Sequence, residues 1–116
     1  MAVRILYVGP DTCHRIPVLA VAGFAVENCI SLSHLSRAVA PSPDAILVSD
    51  REGELPGDAL ATVRARSAAP LVLFHDSNRN YVPSGFDLVI PNLTPPPRWL
   101  HDISALIFEG RLQHVS

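Results

Sequence analysis

Five short apolar runs, each followed by a stretch with helical or turn character, constrain this chain more than any other feature. They are VRILYV (3–8), FAVENC (24–29), DAILVS (44–49), PLVLF (70–74) and FDLVI (86–90). Three are nearly continuous Val, Ile and Leu without polar alternation, the pattern of strands covered on both faces of a parallel sheet. FAVENC is more polar and reads as an edge strand. Strict alternation of strands and helices predicts a doubly wound α/β layer sandwich with right-handed crossovers. For five strands the common small solution is the order 2-1-3-4-5.

The intervening segments carry the matching signals. CHRIPVLAVAG (13–23) reads as a short helix around Pro17 closed by Gly23. SLSHLSRAVA (31–40) places Leu32, Leu35 and Val39 on one face, with Ser31 or Ser33 as N-cap. GDALATVRARSA (57–68) repeats apolar residues at Ala59, Leu60 and Val63, with Asp58 early in the helix. DSNRNYVPSG (76–85) is rich in turn residues and has room for about one helical turn. TPPPRWLHDISALIFEG (94–110) has the strongest helical pattern, with Thr94 as cap and prolines in the first turn. Its predicted buried stripe is Trp99, Leu100, Ile103, Leu106 and Ile107. RLQHVS (111–116) is a polar fringe.

Size and composition fit one domain over residues 1–116. A domain of this length buries about two-thirds of its unfolded surface, so it needs neither disulfide nor metal to fold. The net charge of −2 gives no electrostatic footprint for nucleic acid. No apolar run is long enough for a bilayer, and no leader pattern opens the chain, so a cytoplasmic location is expected. All nine basic residues are arginine. Without lysine, a P-loop, a Schiff base and a lysine phosphate clamp are excluded together. Cys13 and Cys29 have no CxxC spacing and read as buried thiols. Cys13 lacks the glycine-rich or arginine-terminated loop that a phosphate-cradling nucleophile needs. His14, His34, His101 and His114 show no mutual spacing and read as surface residues.

In an open parallel sheet, function collects beyond the carboxyl ends of the strands. There the sequence offers Gly9, Pro10 and Asp11, then Ser49 and Asp50, then His75, then Asn92. The stretch PDAILVSDREGELPGDAL (43–60) resembles the third strand and following loop of bacterial response-regulator receiver domains. RILYVGPD, PLVLFH and GFDLVIPN resemble that family's first, fourth and fifth strands, in order, across nearly the whole chain. The resemblance implies a flavodoxin-like three-layer sandwich and two-component signal transduction. In the family, an aspartate ending strand three accepts a phosphoryl group and an acidic pair after strand one holds Mg²⁺. A hydroxyl residue and a lysine contact the phosphoryl oxygens. Carried across, the acidic pair falls on Gly9 and Pro10, and the phosphoacceptor on Ser49. The hydroxyl residue falls on His75, the lysine on Asn92 and the proline after it on Leu93. A switch aromatic falls on Val89.

These departures imply a non-catalytic pseudo-receiver without cofactor that binds a protein partner or itself. It would not bind nucleic acid or membrane. The family's usual meeting face, between the fourth and fifth helices, is the expected surface, reshaped by the short segment at 76–85. A charged strip of Arg51, Glu52, Glu54, Arg64 and Arg66 reads as a solvated face or an interface rim. Two alternatives are carried forward. His75, Asp50 and Asp11 could anchor a small ligand or metal at the strand ends, although a hydrogen-bonded His75 filling the vacated pocket is the plainer expectation. Asp50 could also accept a phosphoryl group from a shifted position, since it lies one residue from the family site.

Overall fold

The computed structural model describes residues 3–9, 11, 13–29, 43–49, 65, 67–75 and 85–115, the last six of these by backbone only. Five strands are present: β1 (Arg4–Val8), β2 (Ala25–Cys29), β3 (Ala45–Ser49), β4 (Leu71–His75) and β5 (Leu88–Pro91). All neighbouring pairs are parallel and the order is β2-β1-β3-β4-β5, the flavodoxin-like doubly wound arrangement. Two described helices, α1 (Arg15–Val21) and α2 (Pro96–Val115), lie after β1 and β5.

Alternation along the strands builds two separate cores. Ile5, Tyr7, Ala45, Leu47, Val72, Phe74 and Ile90 face Leu19 of α1 and Trp99, Ile103 and Ile107 of α2. The intervening residues Leu6, Val8, Ile46, Val48, Leu71 and Leu73 join Cys29 and Ala69 in the other cluster. Covering both faces is what continuous Val/Ile/Leu strands require. β2 is the polar edge strand, with Ala25, Glu27 and Asn28 exposed.

The opening edge of the sheet is tied by one device used twice. Asp44 accepts the Arg4 N–H at 2.8 Å through Oδ2, while its own N–H donates to the Arg4 carbonyl. Asp87 does the same to Leu71, at 2.7 Å through its carboxylate. Each aspartate thus aligns the start of its strand with the neighbouring strand, using the stronger charge-assisted form of hydrogen bond.

α1 is short but well terminated. Pro17 is its third residue, where an N–H would have no partner inside the helix, so the ring removes nothing. At the other end Gly23 has φ +100°, its N–H bonds to Ala20 O and the Phe24 N–H bonds to Leu19 O. That is the Schellman pattern, and Phe24 packs on the cluster containing Leu19, as the motif favours. In α2 the cap position is Pro95 rather than Thr94, because the Pro95 carbonyl receives the Arg98 and Trp99 N–H groups. Pro96 and Pro97 then occupy the first turn without loss of a bond. The helix runs on to Val115, so the polar fringe at 111–115 is helical in its backbone.

The helical expectations at 31–40, 57–68 and 76–85 fall outside the described residues, apart from Ala65, which is helical, and residues 67, 68 and 85. The charged strip at Arg51–Arg66 and His34 also fall outside them. Of the two cysteines, Cys29 is buried as expected, whereas Cys13 is exposed in the turn before α1.

Candidate functional site

The chain reverses its winding between β1 and β3, so the crevice for function opens beyond Val8 and Ser49. Gly9 follows β1 with φ +104°, and its N–H donates to Cys29 O at 2.8 Å. Its carbonyl accepts the Asn28 side-chain amide at 3.0 Å, and the same amide reaches Tyr7 O at 3.1 Å. Gly9 therefore contributes backbone groups already engaged with β2 and no side chain. Pro10 and Asp50 lie outside the described residues.

Asp11 is a capping residue. Its Oδ1 accepts the Arg15 N–H at 2.8 Å and its Oδ2 accepts the Ile16 N–H at 3.0 Å. His14, at the nominal cap position with φ 55°, makes no side-chain cap, so Asp11 performs that task from upstream. Both carboxylate oxygens point at α1.

The described residue that lies across the strand ends is Arg15. The side chain is 4% exposed. Its Nη1 donates to the Tyr7 hydroxyl at 3.1 Å, its Nη2 donates to Asn92 Oδ1 at 3.1 Å, and its guanidinium carbon sits 3.9 Å above the Phe74 ring centroid. Phe74 meets Trp99 edge-on at 5.5 Å and Tyr7 at 6.5 Å. The geometry brings together Tyr7 from β1, Arg15 from α1, Phe74 from β4 and Asn92 from the turn after β5. Ser49, half-buried, stands beside the Tyr7 phenol.

His75 ends β4 half-buried, and its carbonyl accepts the Asn92 N–H at 2.9 Å. Strand alternation gives His75 the parity of Leu71 and Leu73, opposite to Tyr7 and Phe74. Arg15, rather than His75, is thus the buried polar side chain bridging these elements. The sequence held a signal for this: Arg15 is four residues before Leu19, so the two share a helix face, and Leu19 faces the sheet.

Burial raises the Tyr7 phenol above its usual value of 10.0; Arg15 pulls it partly back, Asp11 adds to the rise, and Ser49 lowers it again. A raised phenol value favours the neutral folded state. Its contribution to stability is complete below pH 10 and is lost as pH rises through the folded value. Urea unfolding between about pH 9 and 11 should show stability falling, with a shallower fall in Tyr7→Phe. An unchanged slope in that variant would show that Tyr7 is not responsible.

Among the described residues at the end of β1, the carboxylate on offer is that of Asp11, which is engaged with α1. Gly9 offers no side-chain donor, and Asp11 holds two backbone N–H groups. Among the described residues, no group of three His, Cys, Asp or Glu side chains is placed to hold a metal ion. None of the described helices is long and apolar enough to cross a membrane.

No protein-family profile matches the chain, and no curated protein matches it. Solved structures do. The receiver domain of the sensor histidine kinase PA1611 from Pseudomonas aeruginosa PAO1, with magnesium in its active site cleft, matches with TM-score 0.76 and 17% identity over 92% of this chain and 98% of that one. The N-terminal domain of a response regulator/sensory box/GGDEF protein from Carboxydothermus hydrogenoformans gives 0.78 and 15%, over 95% and 98%. The N-terminal domain of the nisin resistance regulator NsrR, a lantibiotic response regulator, gives 0.72 and 17%, over 90% and 97%. At such identities the likeness is one of fold, and the fold of this chain is that of a response-regulator receiver domain.

Proposed function

We propose that this chain is a non-catalytic pseudo-receiver, an interaction module of bacterial two-component-type signalling that is not phosphorylated on aspartate in the usual way. The observation that carries this reading is the state of the strand ends. Where receiver chemistry needs a carboxylate pair, this chain has Gly9, and the next acidic residue caps α1. Where it needs an acceptor aspartate and a lysine, the chain has Ser49 and Asn92. Serine cannot form an acyl phosphate, and an amide cannot neutralise a phosphoryl group. The PA1611 receiver domain holds magnesium in its cleft; here the carboxylate described at the end of β1 is that of Asp11, which caps α1.

If phosphoryl chemistry is absent, what remains is a framework that presents surface. The side expected to meet partners includes β5 and α2. Pro91, Thr94, Pro95, Arg98 and Asp102 line an open groove there of about 440 Å³, with Val89 and Ile90 at its base. Leu93 beside it is 87% exposed. A mixed groove with an exposed apolar residue and both charges at its rim has the composition of a small protein-interaction surface.

The test is intact mass after incubation with Mg²⁺ and acetyl phosphate. The unmodified mass is the expected result. A stoichiometric phosphoryl adduct that disappears in Asp50→Ala would overturn the reading in favour of a receiver using the neighbouring aspartate. Retention of a divalent metal through gel filtration, abolished by His75→Ala, would instead favour a ligand-binding domain.

A further inference from the structure

Arg15 has a consequence beyond the absence of phosphoryl transfer. Arg15 carries a positively charged guanidinium, and here it is buried. Among the described residues its partners are a phenol, an amide oxygen and an aromatic face, all neutral. A buried cation is tolerated only when its donors are satisfied and its geometry is fixed. The partners come from β1, β4 and the turn after β5, while the cation comes from α1. Movement of any one of these four elements would leave buried charge with fewer partners. The planar fork can bond two oxygens and stack on a ring together, which a lysine ammonium cannot do.

We propose that Arg15 is an internal latch, which holds the turn after β5 against β1 and α1 and so fixes the β5–α2 face in one arrangement without any ligand. The proposal deepens the pseudo-receiver reading, on which it rests, by naming its regulation: the face is presented constitutively. Asn92 is the half-buried end of the latch and Tyr7 its buried end. Arg15 acts as a positioning residue for residues 92–98, which it reaches only through the Asn92 amide.

Backbone amide NMR on the full chain tests the latch. In the wild type, the amides within 92–99, those of Asn92, Leu93, Thr94, Arg98 and Trp99, should give one sharp resonance each, without microsecond-to-millisecond exchange. Arg15→Met fills similar space but removes the charge and the fork, and Arg15→Lys keeps the charge alone. Both should shift and broaden residues 92–99 together with Val8 and Gly9. Asn92→Ala, which leaves the core intact, should produce the same broadening in α1 and β1, and keeps the test available should the Arg15 variants not fold. In Arg15→Ala, guanidinium chloride at low millimolar concentration should sharpen these resonances, and ammonium chloride at the same strength should not. Wild-type-like spectra at 92–99 in Arg15→Met, or effects of Asn92→Ala confined to its chain neighbours, would overturn the latch. The phosphodonor experiment keeps the two readings apart: an adduct sinks the pseudo-receiver, whereas no adduct with a Met variant like wild type sinks only the latch.

Discussion

Replacing Phe74 with alanine is expected to cost about 3–5 kcal/mol, the range for truncating a fully buried aromatic. Phe74 is 0% exposed and sits at the centre of the face that joins β4 to both described helices. Removing it opens a cavity beneath Trp99, whose edge-to-face contact is worth about 0.5–1.5 kcal/mol beyond area. It also strips the ring from under Arg15, and a desolvated cation–π contact is worth about 2 kcal/mol. These contributions overlap and do not add. Against a total stability of about 5–15 kcal/mol, the loss is a large fraction of the whole. Trp99 is the only tryptophan, so its fluorescence in urea reports the transition directly. Phe74→Leu keeps most of the volume and should cost less, about 1–2 kcal/mol, because it loses mainly the aromatic contacts. A Phe74→Ala cost below about 1.5 kcal/mol would mean that the site collapses around the change and that this cluster does not anchor the sheet.

The framework was legible because burial on both faces leaves its mark residue by residue. RILYV, AILVS and LVLFH could not expose either face without placing several aliphatic side chains in water, so their assignment did not depend on their neighbours. Strand boundaries were less legible where side chains replace backbone pairing. β5 reads from sequence as starting at Phe86 but begins at Leu88, because Asp87 meets Leu71 through its carboxylate. It runs on through Pro91, which an edge strand tolerates. Thr94 looked like a helix cap by residue type, yet the chain turns so that the Pro95 carbonyl receives the first helical bonds. A residue's preference for a cap says nothing about which carbonyl the turn presents.

The site was legible as a set of departures and illegible as an assembly. Sequence spacing identified Gly9, Ser49, His75 and Asn92 as strand-end residues, and the structure places all four there. It could not show Asp11 turning both oxygens onto α1, since that depends on the left-handed turn at His14. Arg15 was missed for a physical reason. Charged residues are so seldom buried that an arginine at a helix start is assigned to solvent by default. Its place four residues before Leu19 sets it on the sheet-facing side of α1, but the neutral partners that make its burial tolerable converge from β1, β4 and the turn after β5, which no local pattern encodes.

Gly9→Asp places a carboxylate where the receiver family has half of its metal-binding pair, and it is expected to destabilise the fold without creating a metal site. The expected cost is about 1–3 kcal/mol, because φ +104° lies beyond the left-handed basin that L residues adopt. A Cβ at this position meets nothing within 4 Å, so the penalty is conformational rather than steric. The glycine cannot easily relax, since its N–H is held by Cys29 O and its carbonyl by Asn28. Gly9→Ala carries the same backbone strain without the charge, and the difference between the two variants isolates what the carboxylate does. Urea midpoints should fall in both, with unchanged slope. Millimolar Mg²⁺ should leave the Gly9→Asp midpoint where it is, because a ligand stabilises only in proportion to its binding to the native state. A magnesium-dependent rise in that midpoint, absent from Gly9→Ala and from wild type, would show that the edge keeps a latent metal site and that glycine is the substitution that silenced it. The expected null result would carry the opposite meaning: the backbone after β1 is suited to glycine, and a carboxylate placed there finds no second donor with which to hold the ion.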